Sequence, residues 1–172
     1  MMMKMLDAGG MEILTDHIRT PDQDNPQGYY EFERVKKIEH DQEWLPHAEG
    51  KAVKLISALL KHLPPTHRYR VVFMQRKMGE ILGSQKRMLI RRGERDDKVA
   101  DEEMAAIFER HLAQVEAWLD GQANVEVMYV RYDQVVQDPL PHAQGVNAFL
   151  GGTLNTEEMA RAVDPTLYRQ RR

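Results

Sequence analysis

Between Tyr69 and Arg92 the hydrophobic period of the chain changes from that of a strand to that of a helix. Tyr69-Arg70-Val71-Val72-Phe73-Met74 is short, apolar and rich in β-branched and aromatic residues, and Pro64-Pro65 bounds it upstream. Such a run reads as a buried strand. From Met78 onward, Met78, Ile81, Leu82, Gln85, Met88 and Leu89 fall on one helical face. A strand running straight into a helix is the repeating unit of an open α/β sheet, whose anionic ligands gather beyond the carboxyl ends of the strands. Arg76 stands at this junction, and Ser84 follows eight residues later.

The remainder of the chain repeats the alternation. Met1 to Ala8 is good helix former, ends at the C-cap signal Gly9-Gly10, and has no capping residue at its start. It therefore reads as the back half of a helix, and the Met11–Thr15 strand after it implies an earlier strand. Asp16 to Gly28 is a polar loop, Tyr29 to about His40 has mixed helical character, and Trp44-Leu45-Pro46 closes that stretch. Val53–Ile56 is a second strand, and the short helix Ala58–Leu63 stops at Pro64-Pro65. After a charge-rich break from Arg91 to Asp97, Asp101 can cap a long helix with Met104, Phe108, Leu112, Val115 and Leu119 on one face, ending at Gly121. Val125–Val130 alternates as a strand, Asp138-Pro139 opens a helix ending at Gly151-Gly152, and Thr156–Val163 is the last short helix. Asp164-Pro165 then leads into a basic tail. No Asn-Gly hairpin signal separates any two strands. The expectation is one α/β domain over residues 1–172, built on a three-layer parallel sheet.

Composition excludes several classes of function. At 172 residues the chain can bury a single core, and a net charge of −3 gives no basic excess for nucleic acid. It contains no cysteine, hence no disulfide, thiolate metal site or thiol nucleophile. That fits the reducing cytoplasm, which is the compartment expected. No apolar run approaches the roughly 18 residues of a membrane span. The seven histidines show no metal-ligand spacing and read as surface or loop residues.

Three stretches could carry chemistry. A phosphate takes a planar bidentate donor, and a hydroxyl can add one more bond. With the helix starting at Met78, Ser84 lies about 9 Å along it, so Arg76 and Ser84 could reach one anion. The plainer alternative is a surface arginine and a neutral helical serine. Asn25-Pro26-Gln27-Gly28-Tyr29-Tyr30-Glu31 places aromatic rings and a carboxylate after a loop, and Glu31 could act as a general base. A turn followed by a core aromatic pair explains the same residues. In the tail, Arg169, Arg171 and Arg172 are either a frayed end or a lid over an anion.

Taken together, these stretches resemble the sulfotransferase family, particularly its bacterial members. Arg76 and Ser84 match the family's 3′-phosphate element of a strand-terminal Arg followed eight residues later by a helical Ser. Tyr132-Asp133, Asp138-Pro139 and Phe149-Leu150-Gly151 match a later stretch, with Gln134 in place of an acid. The segment from Asn25 to Glu31 is similar to an Asn-Pro-Lys-Gly-Tyr-Tyr-Glu segment of bacterial relatives. The resemblance implies a P-loop-NTPase-like fold and sulfuryl transfer from 3′-phosphoadenosine-5′-phosphosulfate, without a metal, to a hydroxyl or amine of a small acceptor.

The chain also departs from the family. It contains no Gly-x-Pro-Arg-Ser-Gly-Thr-type loop for the 5′-phosphosulfate, and its first residues match the end of the helix that such a loop opens. The expectation is therefore an N-terminally truncated domain with weak nucleotide binding and little or no turnover. Many relatives carry a catalytic His near the position of Ser57, so Glu31 is left as the base. The Gly-rich basic C-terminal loop is unmatched, with Arg169 as its substitute. Two other readings stay open. One is a P-loop kinase-like phosphotransferase, although no G-x-x-x-x-G-K-[ST] occurs. The other is a non-catalytic association domain whose open sheet edges would favour a homodimer.

Overall fold

In the computed structural model, which describes residues 1–16, 18, 28–91 and 101–167, two strands lie side by side at the centre. β1 (Tyr69–Gln75) and β2 (Val125–Arg131) are parallel, in register from Tyr69↔Val125 to Gln75↔Arg131. Parallel neighbours need a long crossover. Here it contains α2 (Met78–Arg91), which starts where the sequence places it, and α3 (Asp101–Asp120).

The alternating side chains of the pair serve two cores. Val72, Met74, Met128 and Val130 pack with buried Met5, Val146 and Met159 on one face. Phe73, Val71 and Val127 pack on the other with Leu60, Val115 and Leu119. The first core is closed by α1 (Met2–Ala8), α5 (Pro139–Leu150) and α6 (Thr156–Arg161). Proline opens α5 and Gly151 ends it at φ 118°, a left-handed conformation that glycine adopts without strain. Asp138 sits at the cap of α5 without a side-chain bond, whereas Asn155 caps α6 by accepting from the Glu157 and Glu158 amides, both at 3.2 Å. A third cluster joins Val35, Ile38, Trp44 and Leu45. Phe32 meets Trp44 edge-on at 5.4 Å, and the indole N–H donates to the Asp41 carbonyl at 3.0 Å.

Several expected elements take a different form. Met11–Thr15 and Val53–Ile56 are not extended strands; the two regions meet at one parallel bridge, Ile13↔Ala52. The Leu14 amide donates to the Ala52 carbonyl and the Ala52 amide to the Glu12 carbonyl. One rung is too little to make a strand, because a strand is defined by its neighbour's hydrogen bonds. The helical stretches expected at Tyr29–His40 and Ala58–Leu63 are the 3₁₀ helices Glu33–Lys37 and Ser57–His62. Short segments bounded by prolines and bends favour this tighter form. Tyr132–Gln137, between β2 and α5, is a further helix, α4. In α2 the side chain buried most deeply among those described is Glu80, at 2% exposure, while Met78, Ile81 and Leu82 are only half-buried.

Candidate functional site

The parallel register builds the site. Gln75 and Arg131 are the last partners of the pair, so the next residues, Arg76 and Tyr132, leave the sheet side by side. The Arg76 guanidinium lies 4.7 Å from the centre of the Tyr132 ring. The following pair is also in contact, with Lys77 Nζ 3.5 Å from Asp133 Oδ2. Arg76 turns a second side toward α2, where its Nη2 is 3.6 Å from the buried Glu80 carboxylate, one helical turn on.

Charge and burial shape the groups around it. Burial pushes the Tyr132 phenol above its ordinary value; Arg76 opposes this, while Glu80 and Asp164 add to it. The Arg131 hydrogen bond holds the Asp133 carboxyl below the usual range, assisted by Lys77. Asp133 therefore stays anionic and keeps Arg131 and Lys77 occupied, at 2.8 Å and 3.5 Å.

Arg76, Ser84 and Tyr132 line one cleft of about 1410 Å³, whose walls include Lys54, Ser57 and Tyr29. Ser84 is exposed, as a hydroxyl reaching toward a ligand would be. The donor set suits a phosphate, because a guanidinium offers five N–H groups and Glu80 engages only part of them. Among the described residues, no cluster of three or more His, Asp or Glu side chains could hold a metal ion. No helix among them is long and apolar enough to cross a membrane.

Glu31 stands elsewhere. Its carboxylate is 3.5 Å from Lys54 Nζ, and its carbonyl accepts from the Thr15 hydroxyl at 2.8 Å. Lys54 lines the cleft, also donating to the Tyr29 carbonyl at 2.9 Å, while Glu31 lies behind it and is not on the wall. Tyr29 and Tyr30 do face the cleft, and the Tyr30 hydroxyl donates to Asp7 at 3.0 Å. Arg169, Arg171 and Arg172 lie outside the described residues, as do Asn25, Pro26 and Gln27.

One contact has no counterpart in the sequence reading. Ser57 Oγ is 2.8 Å from His111 Nε2, across 54 residues. His111 is thus no loop histidine: it sits in α3, partly buried, three residues after Phe108 and four before Val115. Its place on the apolar face of that helix was the one available signal.

A family model described as a sulfotransferase domain matches residues 29–172. No curated protein and no solved structure matches the chain.

Proposed function

The chain belongs to the sulfotransferase family, and on that premise we propose that the Arg76 cleft binds a 3′-phosphoadenosine nucleotide through its 3′-phosphate. The activity served is sulfuryl transfer from 3′-phosphoadenosine-5′-phosphosulfate to a hydroxyl or amine of a small acceptor. The single observation that carries the assignment is that Arg76 and Tyr132, stacked where two parallel strands end, line one cleft with Ser84 of the next helix, a cleft that runs along β1 from Tyr69 to Arg76. Arg76 supplies a planar cationic fork, the Tyr132 ring supports its plane, and Ser84 adds a hydroxyl from the next helix. The helical cover on both faces of β1 and β2 suits the three-layer, P-loop-like arrangement of the reading.

The remaining roles extend the same proposal. Glu31, ion-paired with Lys54 behind the cleft wall, is the candidate base, and Arg169 is a candidate nucleotide contact. The described cleft provides for the 3′ end of the nucleotide; the family's 5′-phosphosulfate loop has no match within these 172 residues.

Calorimetric titration tests the assignment. Adenosine 3′,5′-bisphosphate should bind at least about tenfold more tightly than adenosine 5′-monophosphate, since one phosphate gains charge-assisted bonds of about 1.5–3 kcal/mol. Equal affinities would remove the 3′-phosphate site. A preference for ATP over both would instead favour a kinase-like phosphotransferase.

A further inference from the structure

A hydroxyl and an imidazole meet at the cleft wall, held there by core packing. Ser57 opens the 3₁₀ helix Ser57–His62, and Leu60 of that helix is buried against Val115 and Leu119 of α3. Val115 is one helical turn beyond His111, so this contact fixes the spacing between the two side chains. Ser57 Oγ lies 2.8 Å from His111 Nε2 in a partly buried setting. Ser57 lines the same cleft as Arg76 and Ser84, as does Leu112, while His111 stands behind the wall.

A serine hydroxyl is by itself a weak base and a weak nucleophile. With a neutral imidazole accepting its proton, it can take a proton on one side as it gives one on the other. Nε2 accepts in this way when the imidazole carries its hydrogen on Nδ1. Glu31, by contrast, is ion-paired with Lys54 and lies off the wall.

We propose that Ser57 relays the proton of the acceptor hydroxyl to His111 during sulfuryl transfer. The relay rests on the sulfotransferase reading of the cleft. The acceptor O–H proton passes to Ser57 Oγ as Ser57 passes its own to His111 Nε2. The acceptor oxygen forms its bond to sulfur while the bond from sulfur to the 5′-phosphate oxygen breaks. The electron pair of that bond leaves with adenosine 3′,5′-bisphosphate, and the imidazolium then loses its proton to solvent. Ser57 is the catalytic residue of the pair, and His111 acts through it as a positioning residue.

Phenylmethanesulfonyl fluoride probes this path without an identified acceptor. Ser57 Oγ would form a bond to sulfur, the sulfur–fluorine bond would break, fluoride would leave, and the serine proton would go to His111. In the full 172-residue chain, peptide mass mapping should find Ser57 labelled ahead of the other serines. His111→Gln can still accept the Ser57 hydrogen bond but cannot take the proton, so labelling should slow by roughly 10²-fold or more. His40→Gln, at an exposed position, should label at the parent rate. Thermal melts establish that each variant is folded, and His111→Asn replaces His111→Gln if the latter is not. Ser57 labelling that is indifferent to His111, or no faster than at other serines, overturns the relay. Titrating adenosine 3′,5′-bisphosphate into the same samples separates the two readings. Nucleotide binding without His111-dependent labelling overturns the relay alone. His111-dependent labelling without nucleotide binding overturns the sulfuryl-transfer reading and the relay's place within it.

Discussion

The guanidinium of Arg76 stacks 4.7 Å from the centre of the Tyr132 ring, joining the residue that follows β1 to the residue that follows β2. The two are neighbours because the register partners before them, Gln75 and Arg131, end the sheet together. The cation is therefore oriented by backbone pairing, and nucleotide binding should respond to both members of the stack.

Arg76→Ala should weaken binding of adenosine 3′,5′-bisphosphate by about 10- to 100-fold, the loss of hydrogen bonds to a charged group. Arg76→Lys should restore only part of it, since an ammonium is a point charge without the planar fork. Calorimetry on the two variants and the parent decides the matter, and an unchanged dissociation constant in Arg76→Ala would remove the assignment.

Tyr132→Phe keeps the aromatic face and should bind nucleotide nearly as the parent does. Tyr132→Leu removes it, and with it a cation–π contribution of about 0.5–2 kcal/mol, so affinity should fall by roughly 2- to 30-fold. If Phe and Leu behave alike, the ring does not orient Arg76.

Alkaline pH should destabilise the fold through its tyrosines. Burial pushes the phenols of Tyr69 and Tyr132 up, and Tyr30 moves the same way through burial and its hydrogen bond to Asp7. A raised folded value means the neutral phenol is favoured in the native state. Its contribution is complete below the unfolded value of about 10 and is lost as pH climbs through the folded value. Near-ultraviolet titration of the folded chain should lag that of the chain in urea. Coincident curves would contradict the shift.

Gly9 and Gly10 should fail for different reasons when changed to alanine. A Cβ at Gly9 would lie 2.6 Å from Met159 Cγ, within the core where Met159 is fully buried. Gly9→Ala should cost about 1–3 kcal/mol by overpacking, and less when made in a Met159→Ala background. Gly10 has open space around it but a φ of +92°, so Gly10→Ala should cost about 1–2 kcal/mol through the backbone alone, with no relief from Met159→Ala. Urea unfolding of the three single and two double variants measures both.

Much of the fold could be read locally. Met78 starts its helix where the period changes, and Pro139 and Gly151 bound α5 as their backbone preferences dictate. Local reading failed where length or a neighbour decides the outcome. Val53–Ile56 has strand composition yet only a one-rung partner nearby, and the Ala58–Leu63 stretch winds as a 3₁₀ helix, whereas the equally short Tyr132–Gln137 is an α-helix. Burial of Glu80 in α2 was not legible in the sequence; Arg76, one turn before it, supplies the cation that burial of a carboxylate requires.

The candidate site divides in the same way. Arg76 and Ser84 were visible as a spacing, because eight residues of strand end and helix obey local geometry. Sequence alone therefore determined the strand-to-helix unit at Tyr69–Arg92 and the residue types it offers to an anion. The tertiary structure decided that Tyr132 lies against Arg76, that Glu31 is held by Lys54, and that Ser57 meets His111. Each of these contacts spans an interval that no helical or strand period covers. They are set by parallel register and by side-chain packing between elements, which exist only once the chain has folded.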